Sequence, residues 1–371
     1  MKLSCGYGLV VRLNAGENRS VKTLRWTVEA GRLETPEAVR ALDEAAAIVR
    51  GGGLVALPTE TVYGLGANAL DPAAVRRIFA AKQRPSWDPV IVHIADLGQL
   101  DGLVQKVPDA ARKLMEAFWP GPLTLLLPRS AAIDDAVTAG RPLVGVRMPA
   151  HPVALELIRR AGVPIAAPSA NLFSHISPTT AAHVLADLEG RIDGVIDAGA
   201  CRHGVESTVM DPGQSPMVIY RPGAVTLEQV QATAGAVGLF QPEEKVASTP
   251  HEALPSPGVG IRHYAPRARL FLLDGPLDGF GEMAASRAEE FADQKLGVLL
   301  PDEARLPAGL AEAAVYRWGS WQHPEELAQR LYAGLRWLDE QGVAAIFCPR
   351  PAARGVGAAL LDRMEKAART A

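Results

Sequence analysis

Cysteine is scarce: Cys5, Cys201 and Cys348 are the three in 371 residues. They lie far apart and in no metal-ligand spacing, which excludes a disulfide framework and a cysteine-based zinc site and fits a reducing compartment. No apolar run approaches membrane-spanning length. Near the N-terminus the apolar patch Leu9-Val10-Val11 is too short for a signal peptide, so a cytoplasmic protein with no membrane partner is expected. Charge of neither sign dominates. The formal net charge is −3, which gives no broad attraction to nucleic acid or membrane. Any anionic ligand must therefore be held by locally clustered cations. A P-loop, an HExxH zinc motif, a GxSxG elbow and a kinase signature are also missing. Gly64 and Gly66 lack the third glycine and the following helix of a dinucleotide fingerprint. There is no internal repeat.

What is present is the composition of a globular protein, 48% hydrophobic and 21% charged, and a length that predicts two domains. Residues 1–33 show no periodicity and read as an N-terminal extension. Thr35-Pro36 then reads as N-cap and first helical position, ahead of an apolar stripe at Val39, Leu42, Ala46 and Val49. Gly51-Gly52-Gly53 stops that helix, and Leu54–Leu57 is a short buried strand ended by Pro58. Helices are expected at 72–81, 108–118, 152–161, 178–188 and 226–234. Strands are expected at 90–94, 123–127, 144–148, 163–167, 194–197, 207–211 and 217–221. The alternation predicts an α/β domain over 34–235 with a twisted mixed sheet. Residues 236–267 are polar and proline-rich and read as a linker. Residues 268–371 read as a smaller Rossmann-like α/β domain, with strands near 270–273, 296–300 and 343–347 and helices near 283–292, 324–340 and 358–370.

The chemistry-bearing residues lie at strand and helix ends. Lys82 and Arg84 are one residue apart, as are Ser169 and Asn171. In an extended segment residues i and i+2 point the same way, so each pair can address one site. Arg147 ends the strand Val144–Arg147, and Arg221 ends Met217–Arg221. A strand-end arginine among apolar residues demands a partner, which an anionic ligand or a carboxylate elsewhere in the chain would supply. Four convergent cations suit a polyphosphate. His93 closes an apolar run, where a core histidine is the commoner reading. Pro58-Thr59-Glu60-Thr61-Val62-Tyr63-Gly64 crowds hydroxyls, an acid and a phenol into one turn, which either lines a ligand crevice or bonds locally. Ser177-Pro178 reads as a helix cap, and a helix N-terminus also suits phosphate.

Together these segments resemble the Sua/YrdC/YwlC family of threonylcarbamoyl-adenylate synthases. The matching pieces are Pro58–Leu65, Lys82-Gln83-Arg84-Pro85, Ile91–Ile94, Trp119–Thr124, Arg147-Met148-Pro149, Pro168-Ser169-Ala170-Asn171, Ser177-Pro178-Thr179, Glu206–Val209 and Arg221-Pro222-Gly223. The paired cations and the Ser/Asn pair look like the family's KxR and SxN signature. Ser256-Pro257-Gly258, Arg262-His263-Tyr264-Ala265-Pro266 and Gly355–Arg363 resemble the linker and the end of the long, two-domain Sua-type branch.

The resemblance implies that L-threonine, bicarbonate and ATP yield threonylcarbamoyl-AMP and pyrophosphate. The product would feed threonylcarbamoyl modification (t6A) of tRNA through a separate transferase complex, with direct tRNA binding expected to be weak. It places threonine near Thr61, His93, Arg147 and Ser207. ATP, carrying Mg2+, is placed near Lys82, Arg84, Asp88, Thr124, Ser169, Asn171, Ser177 and Arg221. Catalysis would centre on Lys82, Arg84, Ser169 and Asn171, with His263 and Tyr264 as a lid. Asp88 departs from the family's usual Asn or His, and an acid beside a triphosphate needs a compensating charge. Rival readings are an RNA-binding module on the same fold, a carbamoyl-adenylate-forming carbamoyltransferase, and an interaction protein with a decayed site.

Overall fold

The computed structural model describes residues 22–241 and 264–369, apart from 292 and 307. The first sheet has eleven strands: β1 (Leu24–Thr27), β2 (Val55–Leu57), β3 (Gly64–Asn68), β4 (Ile91–His93), β5 (Leu123–Pro128), β6 (Leu143–Arg147), β7 (Ile165–Ala166), β8 (Gly194–Asp197), β9 (Thr208–Asp211), β10 (Met217–Arg221) and β11 (Val237–Leu239). Their spatial order is β1-β8-β2-β3-β7-β4-β6-β5-β9-β10-β11. Parallel pairs (β4 with β6, β5 with β9) and antiparallel pairs (β5 with β6, β9 with β10) make the sheet mixed, as the irregular alternation predicted.

Period-two burial gives this sheet two covered faces. Val55 and Leu57 join a cluster with helices α1 (Pro36–Arg50) and α5 (Pro152–Ala161). Ala56 between them faces the larger cluster formed with α2 (Pro72–Lys82), α3 (Asp109–Phe118), α6 (Ala181–Leu188) and α7 (Leu227–Ala234). Local signals set the helix starts. Thr35 and Asp71 cap α1 and α2, accepting from Ala38 N and Ala73 N, each with proline inside the first turn. A short helix, α4 (Asp135–Thr138), precedes β6.

The second domain is a four-stranded, wholly parallel sheet of β12 (Arg269–Leu273), β13 (Leu296–Pro301), β14 (Ala314–Gly319) and β15 (Ala345–Pro349) in the order β12-β15-β13-β14. Leu270, Leu299, Ile346 and Cys348 face α9 (Pro324–Glu340) and α10 (Val356–Ala368). Phe271, Val298, Leu300 and Phe347 face α8 (Phe280–Ala288). Both faces are covered, as a parallel sheet requires.

Several elements differ from expectation. β1 pairs in parallel with β8, so this part of the expected N-terminal extension is an edge strand of the sheet. β11 pairs with β10 and carries the first sheet to Leu239, past the expected boundary at 235. β3 is not among the expected strands, and its Gly64 and Gly66 are poor strand formers. It pairs antiparallel with β2. β14 was not anticipated. Helix α6 begins at Ala181 with Thr180 as its cap, so Pro178 is not a first-turn residue and Ser177 is free for another bond.

The two domains share apolar packing. Val62, Ile176 and Val205 of the first domain are buried in the cluster of α9 and α10, each contributing about 1.5–3 kcal/mol of transfer free energy. Gly204 marks a close backbone approach. Its φ is +70°, and a Cβ there would sit 2.4 Å from the Ala328 carbonyl oxygen and the Gln329 Cα of α9. Both are backbone atoms that cannot rotate away. Gly204→Ala is therefore expected to lower unfolding stability by about 1–3 kcal/mol, measured by urea denaturation; an unchanged midpoint would show that the contact is not tight.

Candidate active site

The turn after β2 is locked from within. Thr59 Oγ1 donates to the Val62 carbonyl at 2.6 Å and lies 2.7 Å from Thr61 Oγ1. This presents Glu60 and Thr61 to Arg147 at the end of β6. Each nitrogen of the Arg147 guanidinium has a partner: Nη2 with Glu60 Oε1 at 2.6 Å, Nη1 with Thr61 Oγ1 at 3.0 Å, and Nε with the Gly121 carbonyl at 3.1 Å. The partner a strand-end arginine demands is thus Glu60. Burial pushes the Glu60 carboxyl up, but Arg147 outweighs it and holds the group below the usual range. Opposite Arg147 in the β4–β6 register stands His93. Burial first, and the Arg147 charge second, push its imidazole down to about 3. Its Nδ1 has no hydrogen-bond partner among the described residues.

Lys82 and Arg84 do not point the same way. Lys82 is the last residue of α2, and Gln83 caps that helix with φ 54°, so the i, i+2 rule for extended chain does not apply. The buried Lys82 ammonium donates to the carbonyl oxygens of Ser169 and Asn171. It clamps the Ser/Asn loop from behind and is not part of the cavity wall. Burial, then repulsion from Arg84, push its pKa well down. Arg84 does face the cavity, and it forms a 2.9 Å ion pair with Asp88. The acid at position 88 thus has its compensating charge within the protein. Its companions Ser169 and Asn171 also part: Ser169 lines the cavity, whereas the Asn171 amide donates to the carbonyls of Leu172 and His175.

On the opposite wall, Thr124 Oγ1 lies 2.8 Å from Ser207 Oγ. Arg221, at the end of β10, donates to the Ser207 carbonyl at 3.0 Å and to its hydroxyl at 3.1 Å. No ion pair to Arg221 is formed among the described residues. Gly223 lets this turn press against the start of β9, since a Cβ there would lie 2.3 Å from Thr208 N. Ser177 donates to Glu206 at 2.6 Å instead of capping a helix. Glu206 also receives Tyr332 of α9 and Arg363 of α10, from the second domain. Tyr264, from the expected lid, is buried in the wall, stacked on Tyr332. His263 lies outside the described residues.

The result is a cavity of about 50 Å3 walled by Thr61, Arg84, His93, Arg147, Ser169, Glu206, Ser207, Arg221 and Tyr264. Three buried guanidiniums and several hydroxyls converge on it. A family model described as Telomere recombination (Sua5/YciO/YrdC) matches residues 47–223, and one described as Threonylcarbamoyl-AMP synthase, C-terminal domain matches 225–369. The Threonylcarbamoyl-AMP synthase of Bacillus subtilis is 43% identical over 94% of this chain and 98% of its own length. That of Pyrococcus abyssi is 42% identical over 87% of this chain and 92% of its own. The chain belongs to the threonylcarbamoyl-AMP synthase family. Its fold is also that of the family: the crystal structure of P. abyssi Sua5 complexed with L-threonine matches with a TM-score of 0.81 at 39% identity, over 94% of this chain and 97% of that one.

Two residues that hold the wall residue Glu206 were not foreseen, Tyr332 and Arg363. A signal existed for Arg363: it falls on the buried stripe of α10 with Leu360, Met364 and Ala367, where an arginine needs a buried partner.

His93 supplies a pH test. Its folded pKa of about 3 lies below the ordinary 6.5, so the unfolded chain takes up the proton first as pH falls. Stability from this group is complete above pH 6.5 and is lost as pH drops toward 3. Between pH 7 and pH 5 the wild type is expected to lose about 2 kcal/mol more than His93→Gln, measured by urea denaturation at both values. Equal losses would show that His93 protonates freely in the fold.

Proposed function

We propose that this enzyme converts L-threonine, bicarbonate and ATP to threonylcarbamoyl-AMP, pyrophosphate and water, in the cytoplasm, for t6A modification of tRNA. The observation that carries the reading is Arg221, a buried guanidinium whose hydrogen bonds among the described residues go to neutral groups of Ser207. Such a charge calls for an anion, and the triphosphate is one. The P. abyssi relative with L-threonine bound supports the amino-acid half of the site.

Threonine is assigned to Thr61, His93, Arg147 and Ser207, and ATP to the Arg84, Ser169 and Arg221 side. The threonine nitrogen bonds to the carbon of CO2 and loses a proton, or to the carbon of bicarbonate, whose C–OH bond breaks with release of water, giving a carbamate. A carbamate oxygen then attacks the α-phosphorus, and the bond to the pyrophosphate oxygen breaks. His93 is neutral at pH 7 and too weakly basic to hold the amine's proton. It serves as a neutral hydrogen-bonding wall, and the proton leaves to water or bicarbonate. Arg84 and Arg221 offset charge developing on the leaving pyrophosphate. Lys82, Asn171, Asp88 and Ser177 act by holding these groups: Lys82 fixes the Ser169 loop, Asp88 fixes Arg84, and Ser177 fixes Glu206. Thr124 orients the Ser207 hydroxyl.

Mg2+ arrives with ATP and supplies further charge neutralisation. The cavity's arginines and hydroxyls fit a metal that is liganded chiefly by phosphate oxygens. Tyr264 lines the cavity beside the arginines and is assigned as the part of the wall that opens for ligand entry. Closure afterwards shields the labile carbamate from water. The product is handed to a separate transferase complex, and direct tRNA affinity is weak.

Pyrophosphate release from ATP, Mg2+ and bicarbonate should require L-threonine and fail with L-serine; release independent of threonine would overturn the assignment. Arg221→Ala should lower kcat/KM for ATP by about 100-fold with the melting temperature retained. Lys82→Ala and Arg84→Ala should also lose turnover.

A further inference from the structure

We infer that Arg363 and Tyr332 of the second domain are positioning residues for the ATP site, acting through Glu206 to hold its carboxylate away from Arg221 and so keep the anion-binding wall positive. This rests on the ATP assignment above. Glu206 and Arg221 belong to the same cavity wall. They are electrostatically coupled: burial raises the Glu206 carboxyl, and Arg363, then Arg221, pull it below the usual range. An acid so placed is a natural competitor for the guanidinium that the triphosphate needs.

Three donors other than Arg221 occupy it instead. Ser177 Oγ donates at 2.6 Å, Tyr332 Oη lies 3.0 and 3.1 Å from the two carboxylate oxygens, and Arg363 Nε donates at 2.6 Å. Arg363 is itself braced, with Nη2 donating to the Pro222 carbonyl at 2.9 Å, one residue from Arg221, and Nη1 bonded to Asp362. The Arg363 side chain is 0% exposed, so this is a built contact and not a surface ion pair. Remove the second domain's two donors and the carboxylate keeps the Ser177 bond, with Arg221 as the cation that still draws it, and turns to Arg221. The same guanidinium lies 5.2 Å above the Tyr264 ring, so the linker residue over the cavity is held by the group that neutralises the acid beneath it.

The charge argument separates this role from mere bracing. MgATP binding is titrated by calorimetry in the full chain, a readout that needs no turnover and so stands apart from the threonine test. Arg363→Met should weaken ATP binding at least tenfold, and Glu206→Gln added to it should recover most of that loss, because the competing charge is gone though the domain contact is still altered. Tyr332→Phe, which keeps the ring stack, should weaken binding about threefold in the same direction and carries the test should Arg363→Met not fold. A folded Arg363→Met or Tyr332→Phe protein with wild-type ATP affinity overturns the inference. So does a folded double variant in which ATP affinity remains lost, since a bracing role alone would not respond to the charge at position 206.

Discussion

A guanidinium removed from water must find charge or hydrogen bonds inside the protein, and that requirement organises this site. Arg147 takes Glu60, Arg84 takes Asp88, Arg363 takes Glu206, and Arg221, among the described residues, bonds to neutral groups of Ser207 and forms no ion pair. Loop 58–63, the turn after α2 and the start of β9 are each shaped to deliver one of these partners. Breaking a buried pair by removing one member costs about 3–5 kcal/mol, so the loops are fixed by the charges as much as the charges are fixed by the loops. The arginine left without a carboxylate is the one whose charge remains for a ligand.

Much of the fold was legible. The sheet-forming alternation, the proline-started helices α1, α2 and α5, and the second α/β domain follow from periodicity and capping. What was hidden is physical. β3 contains residues with weak strand preference and exists because neighbouring strands pair with it, and β1 is four residues outside any periodic run that pair only along the sheet edge. Ser177-Pro178 reads as a helix cap from local sequence, yet the Ser177 hydroxyl is drawn to a buried acid. Local propensity cannot weigh a partner that lies 29 residues away along the chain.

The site was legible as a set of residues and less so as a geometry. Lys82, Arg84, Ser169 and Asn171 do come together, but half of them form the frame and half face the cavity. One left-handed residue, Gln83, is enough to turn Lys82 and Arg84 in different directions. Spacing arguments hold only while the backbone keeps one conformation. The contribution of the second domain was the least visible part, since Tyr332 and Arg363 sit on helix stripes that otherwise read as core.

The shared cluster of Val62, Ile176 and Val205 with α9 and α10 carries a thermodynamic consequence. Two sheets make this chain look like two folding units, yet each would expose apolar surface and a buried ion-pair partner if the other melted alone. Loss of either domain therefore removes stability from its neighbour, which favours a single cooperative transition over two. Where architecture counts two bodies, heat and denaturant should count one.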